Sequence, residues 1–334
     1  MMSRRWTAPA VALLSVAATV TTVAYASASP PDRPDRSDAR EWQRVGTGMT
    51  GGVSGLAVIE NGADSDDPVD LVMVRDSKNP GEPRVATVRY DYGDSAPVVR
   101  ELPWLGSAEP RDLEAVDSVP GRPGHYVALT SGGTAFHFTL DRDAARVKGS
   151  SPVPGLAAGD NYESFALTRR HGRTIAVWAT RGSSDGVPAK VRAAAYDPDS
   201  GVFGPATGPV DFLVPDPLPV DGQEVRHASD IKVHADGTLL LTAASDPNVN
   251  SGPFASAVYV AGKVTSNASG RIGLELRTRD RLTALASFDK SVDNRKIEAV
   301  ACRRGSGTAV VGTDDEDQGG SLLPLRKLCP KPGS

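Results

Sequence analysis

The sequence has few cysteines, few aromatic residues and no long apolar run after its first 28 residues. Only two of its 334 residues are cysteine and 5% are aromatic, which excludes a disulfide-dense scaffold. Its formal net charge is −4 and no basic block occurs, so we expect no nucleic-acid partner. The 34 glycines and 26 prolines interrupt any long helical pattern, and short alternating or apolar runs rich in Val, Ala, Thr and Leu lie between them. These features predict an all-β protein.

The first 28 residues have the pattern of an export signal. Arg4 and Arg5 form a short positive region, and residues 8–23 are apolar or small without a charge. Small-residue tripeptides end at Ala26 and Ala28, as cleavage sites require. We therefore expect a secreted protein that leaves the membrane after cleavage, with a retained membrane anchor as the alternative.

The rest of the chain divides into two predicted regions. Residues 29–40 are rich in proline and charge, which is typical of a disordered spacer. Residues 41–334 are predicted to form one domain, which we expect to be a monomer.

The mature chain contains a repeat. Five ungapped segments start with Ser or Glu, continue with a mostly small residue and then have an apolar one. They are SGLAV from Ser54, EAVDS from Glu114, ESFAL from Glu163, SDIKV from Ser229 and EAVAC from Glu298. Their first residues are 60, 49, 66 and 69 apart. Each segment is followed by a second and a third strand pattern, and the first four units also contain a weaker fourth pattern. Each unit therefore has the size of one propeller blade.

The fifth unit has only three strand patterns before the chain stops. Residues 41–48 (EWQRVGTG) form a strand-like segment before the first repeat, and we expect it to pair beside residues 321–328. The sequence therefore predicts a five-bladed β-propeller closed by pairing of its N-terminal strand with the last blade. A pair of β-sandwiches is the alternative, although a sandwich does not require this repeat.

The first position of the repeat is expected to form a ring around the central channel, because the first strand of each blade runs beside it. Three of the 11 glutamates fall on this position, serines occupy the other two, and no Lys or Arg is among them. Crowded carboxylates lose solvation and repel one another. A calcium ion would relieve this repulsion, because calcium binds oxygen ligands of this kind. The predicted calcium ligands are Ser54, Glu114, Glu163, Ser229 and Glu298. A water-filled channel without a fixed ion is the alternative.

The second strands end on the face where the ring lies, so their last residues are expected around the channel mouth. The predicted mouth residues are Asp76, Ser131, Arg181, Asp246 and Asp314, together with Asp112, Asn161, His227 and Lys296 just before the ring positions. A metal at such a mouth can orient a water molecule against a phosphate or ester. Asp76 is then the candidate base and Arg181 the group that offsets developing charge. Solvated loop residues around a structural ion are the alternative.

The order Ser, Glu, Glu, Ser, Glu around five blades resembles the calcium-activated nucleotidases, the secreted apyrase family of five-bladed propellers. Residues 163–166 (ESFA) are similar to the family's Glu-Ser-Ala segment, and residues 229–233 (SDIKV) to its Ser-Ser-Phe-Lys-Phe segment. Residues 74–77 (VRDS) match its Val-Asp-Asp-Arg-Thr stretch only in part, since Asp76 alone remains of the acidic pair. The resemblance implies a central calcium and hydrolysis of nucleoside di- and triphosphates. The family's Trp-rich repeat cores and an aromatic platform for a base are missing from this sequence.

Two functions follow from these patterns. One is a calcium-dependent phosphohydrolase acting on an extracellular nucleotide or another small phosphate-containing ligand. The other is a non-catalytic propeller that binds a protein partner and holds a structural calcium. A glycosidase needs two carboxylates beside the scissile bond and aromatic sugar platforms, and the mature chain has only Trp42, Trp104 and Trp178, which makes it the weakest reading.

Cys302 and Cys329 are predicted to form a disulfide that fastens the C-terminal strand, because an even pair of cysteines in an exported chain is usually oxidised. Two free thiols are the alternative.

Overall fold

The structure is a computed structural model that describes residues 41–60, 68–92, 95–183, 186–215, 224–288, 293–303 and 307–329. The predicted signal peptide (1–28) and spacer (29–40) lie outside these residues. Across the described ranges the only helices are three short 3-10 turns, Met49–Gly51, Arg279–Arg281 and Glu316–Gln318. None of them is long and apolar enough to cross a membrane.

The first two blades follow an N-terminal strand, β1 (Gln43–Arg44). Blade 1 contains β2 (Gly55–Val58), β3 (Val69–Val74), β4 (Val85–Tyr90) and β5 (Val98–Leu102). Blade 2 contains β6 (Trp104–Leu105), β7 (Leu113–Ser118), β8 (His125–Thr130), β9 (Thr134–Leu140) and β10 (Ala145–Pro152). All neighbouring strands in these blades are antiparallel except β6, which pairs parallel with β10.

The other three blades repeat this plan. Blade 3 contains β11 (Tyr162–Arg170), β12 (Arg173–Thr180), β13 (Ala189–Asp197), β14 (Val202–Phe203) and β15 (Thr207–Phe212). Blade 4 contains β16 (Glu224–Val233), β17 (Thr238–Asp246), β18 (Ala255–Ser266), β19 (Ile272–Leu276) and β20 (Ala284–Phe288). Blade 5 contains β21 (Ile297–Cys302), β22 (Thr308–Thr313) and β23 (Ser321–Arg326). In blades 3 and 4 the fourth strand consists of two separate pieces along the third strand.

Apolar layers lie between successive blades rather than within them. One layer joins Val72 and Val74 of blade 1 to Val116 and Phe138 of blade 2. Corresponding layers join blades 2 and 3, 3 and 4, 4 and 5, and 5 and 1. The second strands are therefore covered on both faces, which explains their near-continuous apolar sequences. The five innermost strands also contact one another in a closed cycle, so the five-bladed propeller is confirmed and the sandwich alternative is wrong.

The ring of blades closes as the sequence predicts. Gln43 pairs with Leu322 and Arg44 with Ser321, so β1 is the outermost strand of blade 5. The Val45 amide also donates to the Gly320 carbonyl at 2.9 Å. The two chain ends thus complete one blade, which removes an open sheet edge.

The predicted disulfide between Cys302 and Cys329 is present, with Cα atoms 5.8 Å apart. Cys302 ends β21, and Cys329 lies just beyond β23. The bridge therefore fastens the chain beyond the last strand to the innermost strand of the same blade.

Candidate functional site

The three ring glutamates occupy corresponding places at the start of their innermost strands, whereas Ser54 lies just before β2 and Ser229 lies within β16. Glu114, Glu163 and Glu298 are each the second residue of their strand, and each lies at a register shift in the pairing with the second strand. A β-bulge of this kind re-aims one side chain. All five ring residues are buried. The three glutamates of the repeat therefore share one structural position.

Two cations that do not belong to the ring neutralise part of its charge. Arg226 Nη1 lies 2.6 Å from Glu298 Oε1 and 4.0 Å from Glu163 Oε2, and its Nη2 lies 2.8 Å from Asp246 Oδ2. Lys296 Nζ is 3.4 Å from Glu298 Oε1 and also contacts the Glu316 carboxylate. The guanidinium of Arg226 therefore connects ring carboxylates of blades 3 and 5.

The repeat does not predict Arg226 at the ring, because the pairing of β16 with β17 is irregular. Ring residue Ser229 falls within a register shift that spans Arg226 to Asp230. Arg226 stands three residues before Ser229, whereas the predicted mouth position was two residues before the ring. The sequence does contain a basic residue close to the ring position, which could have indicated Arg226. Only the irregular register, however, brings its side chain to the axis.

Carboxyl groups still outnumber cations around the axis. Among the described residues, four basic groups interact with six carboxyl groups around the axis: Arg75, Arg181, Arg226 and Lys296 with Glu114, Glu163, Asp246, Glu298, Asp314 and Glu316. Within the described chain, Glu114 has no ion-pair partner, although it is only 8% exposed. The cluster therefore keeps an excess of negative charge.

Burial is the main cause of the raised pKa values of the ring carboxyls. Burial raises the pKa of Glu163 to about 7, with Arg226 opposing the shift and Glu298 adding to it. Burial likewise raises the pKa of Glu298 to about 7 against the influence of Lys296 and Arg226. Burial, followed by repulsion from Glu163, places the pKa of Glu114 well above its usual range. Clustered carboxyls with raised pKa values are a common feature of functional sites.

The predicted catalytic residues lie at the mouth on two sides of the ring. Asp76 Oδ2 is 3.2 Å from Lys78 Nζ, which is also 3.3 Å from Asp112 Oδ1. Arg181 Nη1 is 3.7 Å from Glu163 Oε1. The Lys78 side chain is 51% exposed and that of Arg181 26%, so both cations reach solvent at the mouth. The repeat does not predict Lys78 at the mouth either.

Other predicted mouth residues are placed more deeply than expected. Ser131 donates a hydrogen bond of 2.5 Å to Asp112 Oδ2 at the mouth. His227 is fully buried, and its Nδ1 accepts a hydrogen bond from the Val214 amide at 3.3 Å. Lys296 is also buried. His227 and Lys296, which were predicted at the rim of the mouth, are instead buried: His227 lies against Val214 of blade 3, and Lys296 lies against Glu298 of the ring.

Another buried cation, Lys232, reaches across the channel beyond the ring. Lys232 Nζ of blade 4 donates to the Val116 carbonyl of blade 2 at 3.0 Å and lies 3.5 Å from Asp230 Oδ2. Asp230 in turn accepts a hydrogen bond from the Val300 amide of blade 5 at 2.8 Å. Since blades 2 and 4 are not neighbours, this contact reaches across the axis.

The donor chemistry of the ring suits a hard cation. Ser54 Oγ and Ser229 Oγ are buried without a hydrogen-bond partner in the described chain. The carboxyl groups around the axis also outnumber the basic groups. Calcium prefers oxygen ligands of these kinds. Among the described residues, however, no three His, Cys, Asp or Glu side chains are grouped as a metal site by themselves. Calcium at this ring would therefore depend on the serine hydroxyls and on water as well as on carboxylates, and it stays a prediction.

Comparison with known proteins gives distant structural similarities and no family. No protein-family model matches the chain, and no curated protein matches its sequence. Solved structures similar to it include an exo-1,5-α-L-arabinanase from a bovine ruminal metagenomic library, at 11% identity and a TM-score of 0.46 over 82% of this chain and 92% of that one. An α-L-arabinofuranosidase of Clostridium thermocellum matches at 10% identity and a TM-score of 0.44, over 80% and 88% of the two chains.

A GH43 protein of Bacillus licheniformis matches at 12% identity and a TM-score of 0.40 over 69% of this chain, which spans only 44% of that protein. Matches this distant carry no information about ligand or chemistry. The similarity to the apyrase family therefore rests on the sequence patches alone. The assignment of a five-bladed β-propeller rests on the strand pairing and the contacts between blades in the structure itself.

Proposed function

We propose that the chain is a secreted, calcium-binding propeller that hydrolyses a phosphate ester at the mouth of its channel. The observation that supports this proposal is the unbalanced negative charge on the axis, with the buried Ser54 and Ser229 hydroxyls that lack hydrogen-bond partners within the described residues. A divalent cation would supply the missing charge and use these oxygens as ligands.

The mouth has groups that suit such a substrate. Lys78 and Arg181 are cations that reach solvent, and charged hydrogen bonds from such groups hold phosphate oxygens. Asp76 lies beside Lys78 and is the carboxylate placed to accept a proton from an attacking water. A calcium ion, when bound, would polarise the phosphoryl oxygen.

Phosphate release tests the hydrolase directly. The secreted protein is incubated with nucleoside di- and triphosphates and with p-nitrophenyl phosphate, in calcium and in EGTA. We expect calcium-dependent release that falls by about 100-fold in Asp76→Asn, the usual scale for loss of a general base. Asp143→Asn, an exposed carboxylate of the β9–β10 loop, is the matched control and should retain the activity. Release that is equal in Asp76→Asn and wild type would remove Asp76 from the mechanism.

A non-catalytic propeller that binds a partner at the mouth is the second candidate. This function is favoured because the proposed catalytic groups already form ion pairs within the protein. Asp76 pairs with Lys78, and Arg181 pairs with Glu163. In that case calcium stabilises the protein, but no phosphate is released from any substrate. The same experiment, run beside thermal melting, therefore separates the two functions.

Thermal melting tests the calcium ion itself. Calcium that binds only the folded state should raise the melting temperature as its concentration rises. Glu114→Gln removes a ring charge without breaking an ion pair and should shrink that shift, whereas Glu275→Gln on β19 should leave it unchanged. A wild type that is indifferent to calcium, with a Glu114→Gln variant more stable than wild type, would establish an ion-free ring in which the charges simply repel.

A further inference from the structure

Two hydrogen-bond donors of blade 3 are buried side by side without a partner. Trp178 on β12 pairs in register with Arg192 on β13, and residues in register point to the same face of a sheet. Trp178 is fully buried and Arg192 is only 7% exposed. Trp178 Nε1 and Arg192 Nη1 each lack a hydrogen-bond partner in the part of the chain that the structure describes. An indole N–H and a guanidinium N–H are therefore left unsatisfied at neighbouring places.

These donors lie at the interface between blades 2 and 3, away from the ring. Trp178 packs in the apolar layer that also contains Val127 of blade 2. Residues 153–161, which connect β10 to β11, form a covering segment over Arg192. A Cβ atom at Gly155 of this segment would lie 3.0 Å from Arg192 Nε, and its φ of 81° is left-handed, which glycine adopts readily. The chain therefore passes directly against the arginine side chain.

The carboxylate of the covering segment does not supply the missing acceptor. Asp160 accepts hydrogen bonds from the Tyr162 hydroxyl at 2.7 Å and from the Ala157 amide at 3.2 Å. Arg192 forms no ion pair with Asp160 or with any other carboxylate of the described chain. Asp160 thus reduces the net charge of this region, but it leaves both buried donors without an acceptor.

The unsatisfied pair of Arg192 and Trp178 suits an anion. Donors buried in this way give up their hydrogen bonds to water, and the loss is greatest for a charged group. A single anion between the indole and the guanidinium would accept from both and offset the positive charge. We propose that Arg192 and Trp178 bind a small inorganic anion, with chloride as the ligand. The full burial of the indole and the close covering segment favour a monatomic anion over a large oxyanion.

Thermal melting tests the chloride ion, because a ligand that binds only the folded state stabilises it by mass action. The protein is melted in EGTA at constant ionic strength while sodium gluconate is replaced by sodium chloride. We expect the melting temperature of wild type to rise by about 3 °C between about 10 mM and about 300 mM chloride. A wild type whose melting temperature does not respond to chloride would overturn the proposal.

Substitutions locate the effect. Arg192→Gln removes the charge and should abolish the chloride-dependent shift. Trp178→Phe removes the N–H donor, keeps an aromatic ring and should reduce the shift. Arg100→Gln, which removes an exposed arginine of blade 1, is the matched control and should retain the whole shift. A shift that persists unchanged in Arg192→Gln would place the chloride effect elsewhere and overturn the proposal.

Bromide in crystals of the wild type gives a readout that does not depend on any variant. Bromide should replace chloride, and its anomalous signal should appear within hydrogen-bond distance of Arg192 Nη1 and Trp178 Nε1. An ordered water molecule at this place, with no bromide, would contradict the proposal. Neither measurement involves calcium or a phosphate ester, so this proposal and the proposed function fail independently.

Discussion

At the scale of single residues, Arg226 has the largest electrostatic role in the described chain around the ring. It contacts carboxylates from three different strands, at 2.6 Å to Glu298, 2.8 Å to Asp246 and 4.0 Å to Glu163. Burial lowers its pKa, but Glu298, Glu163 and Asp246 together raise the pKa above its ordinary value. Arg226 thus stays charged and reduces the repulsion that the ring sequence alone predicts.

Replacing Arg226 with Gln should therefore destabilise the propeller strongly. The change leaves buried carboxylates without their partner, which costs about 3–5 kcal/mol in comparable buried pairs. Urea unfolding in EGTA measures this loss as a change in the free energy of unfolding. Arg100→Gln, an exposed pair with Asp143, should change it by less than about 1 kcal/mol. Equal effects of the two substitutions would show that Arg226 contributes no more than a surface charge.

At the scale of structural elements, the disulfide and the closing strand both stabilise blade 5. The bridge joins residues 27 apart in sequence, and the Cys329 amide donates to the Gly307 carbonyl at 3.2 Å. Replacing both cysteines with alanine should lower the free energy of unfolding by about 3–4 kcal/mol, the chain-entropy value for a loop of this length. Denaturant unfolding of the secreted variant checks this. A loss below about 1 kcal/mol would contradict the chain-entropy model, because it would show that the bridge hardly restricts the unfolded chain.

The closing strand β1 stabilises blade 5 in a different way from the disulfide, because it covers the outer edge of the sheet. Trp42 packs against Phe288 with ring centroids 5.5 Å apart and lies under the Arg295 guanidinium. Deleting residues 41–45 should lower the melting temperature and expose the outer edge of β23, which promotes association between molecules. Melting and light scattering measure both effects. Deletion of residues 29–33 from the predicted spacer is the control, and equal melting of the two deletions would contradict closure by β1.

At the scale of the whole molecule, each blade shares its apolar residues with both neighbours. Trp104 belongs to the layer between blades 1 and 2, and Trp178 to the layer between blades 2 and 3. No blade therefore has a core of its own, and we expect the propeller to unfold in one cooperative transition. Denaturant curves followed by near-ultraviolet and far-ultraviolet circular dichroism should coincide. Two separated transitions would show that part of the ring can open while the rest stays folded.

The sequence alone determined the repeat, the number of blades, the closing pair of strands, the Cys302–Cys329 bridge and the common position of the ring glutamates. These features depend on spacing and on apolar alternation, which are properties of the chain itself. Only the tertiary structure decided which cations meet those carboxylates, since the irregular register of β16 brings Arg226 to the axis and buries His227 against blade 3. It also decided that Lys232 crosses from blade 4 to Val116 of blade 2. A periodic pattern places residues along a strand, but local register and packing between distant blades determine which charged groups become neighbours.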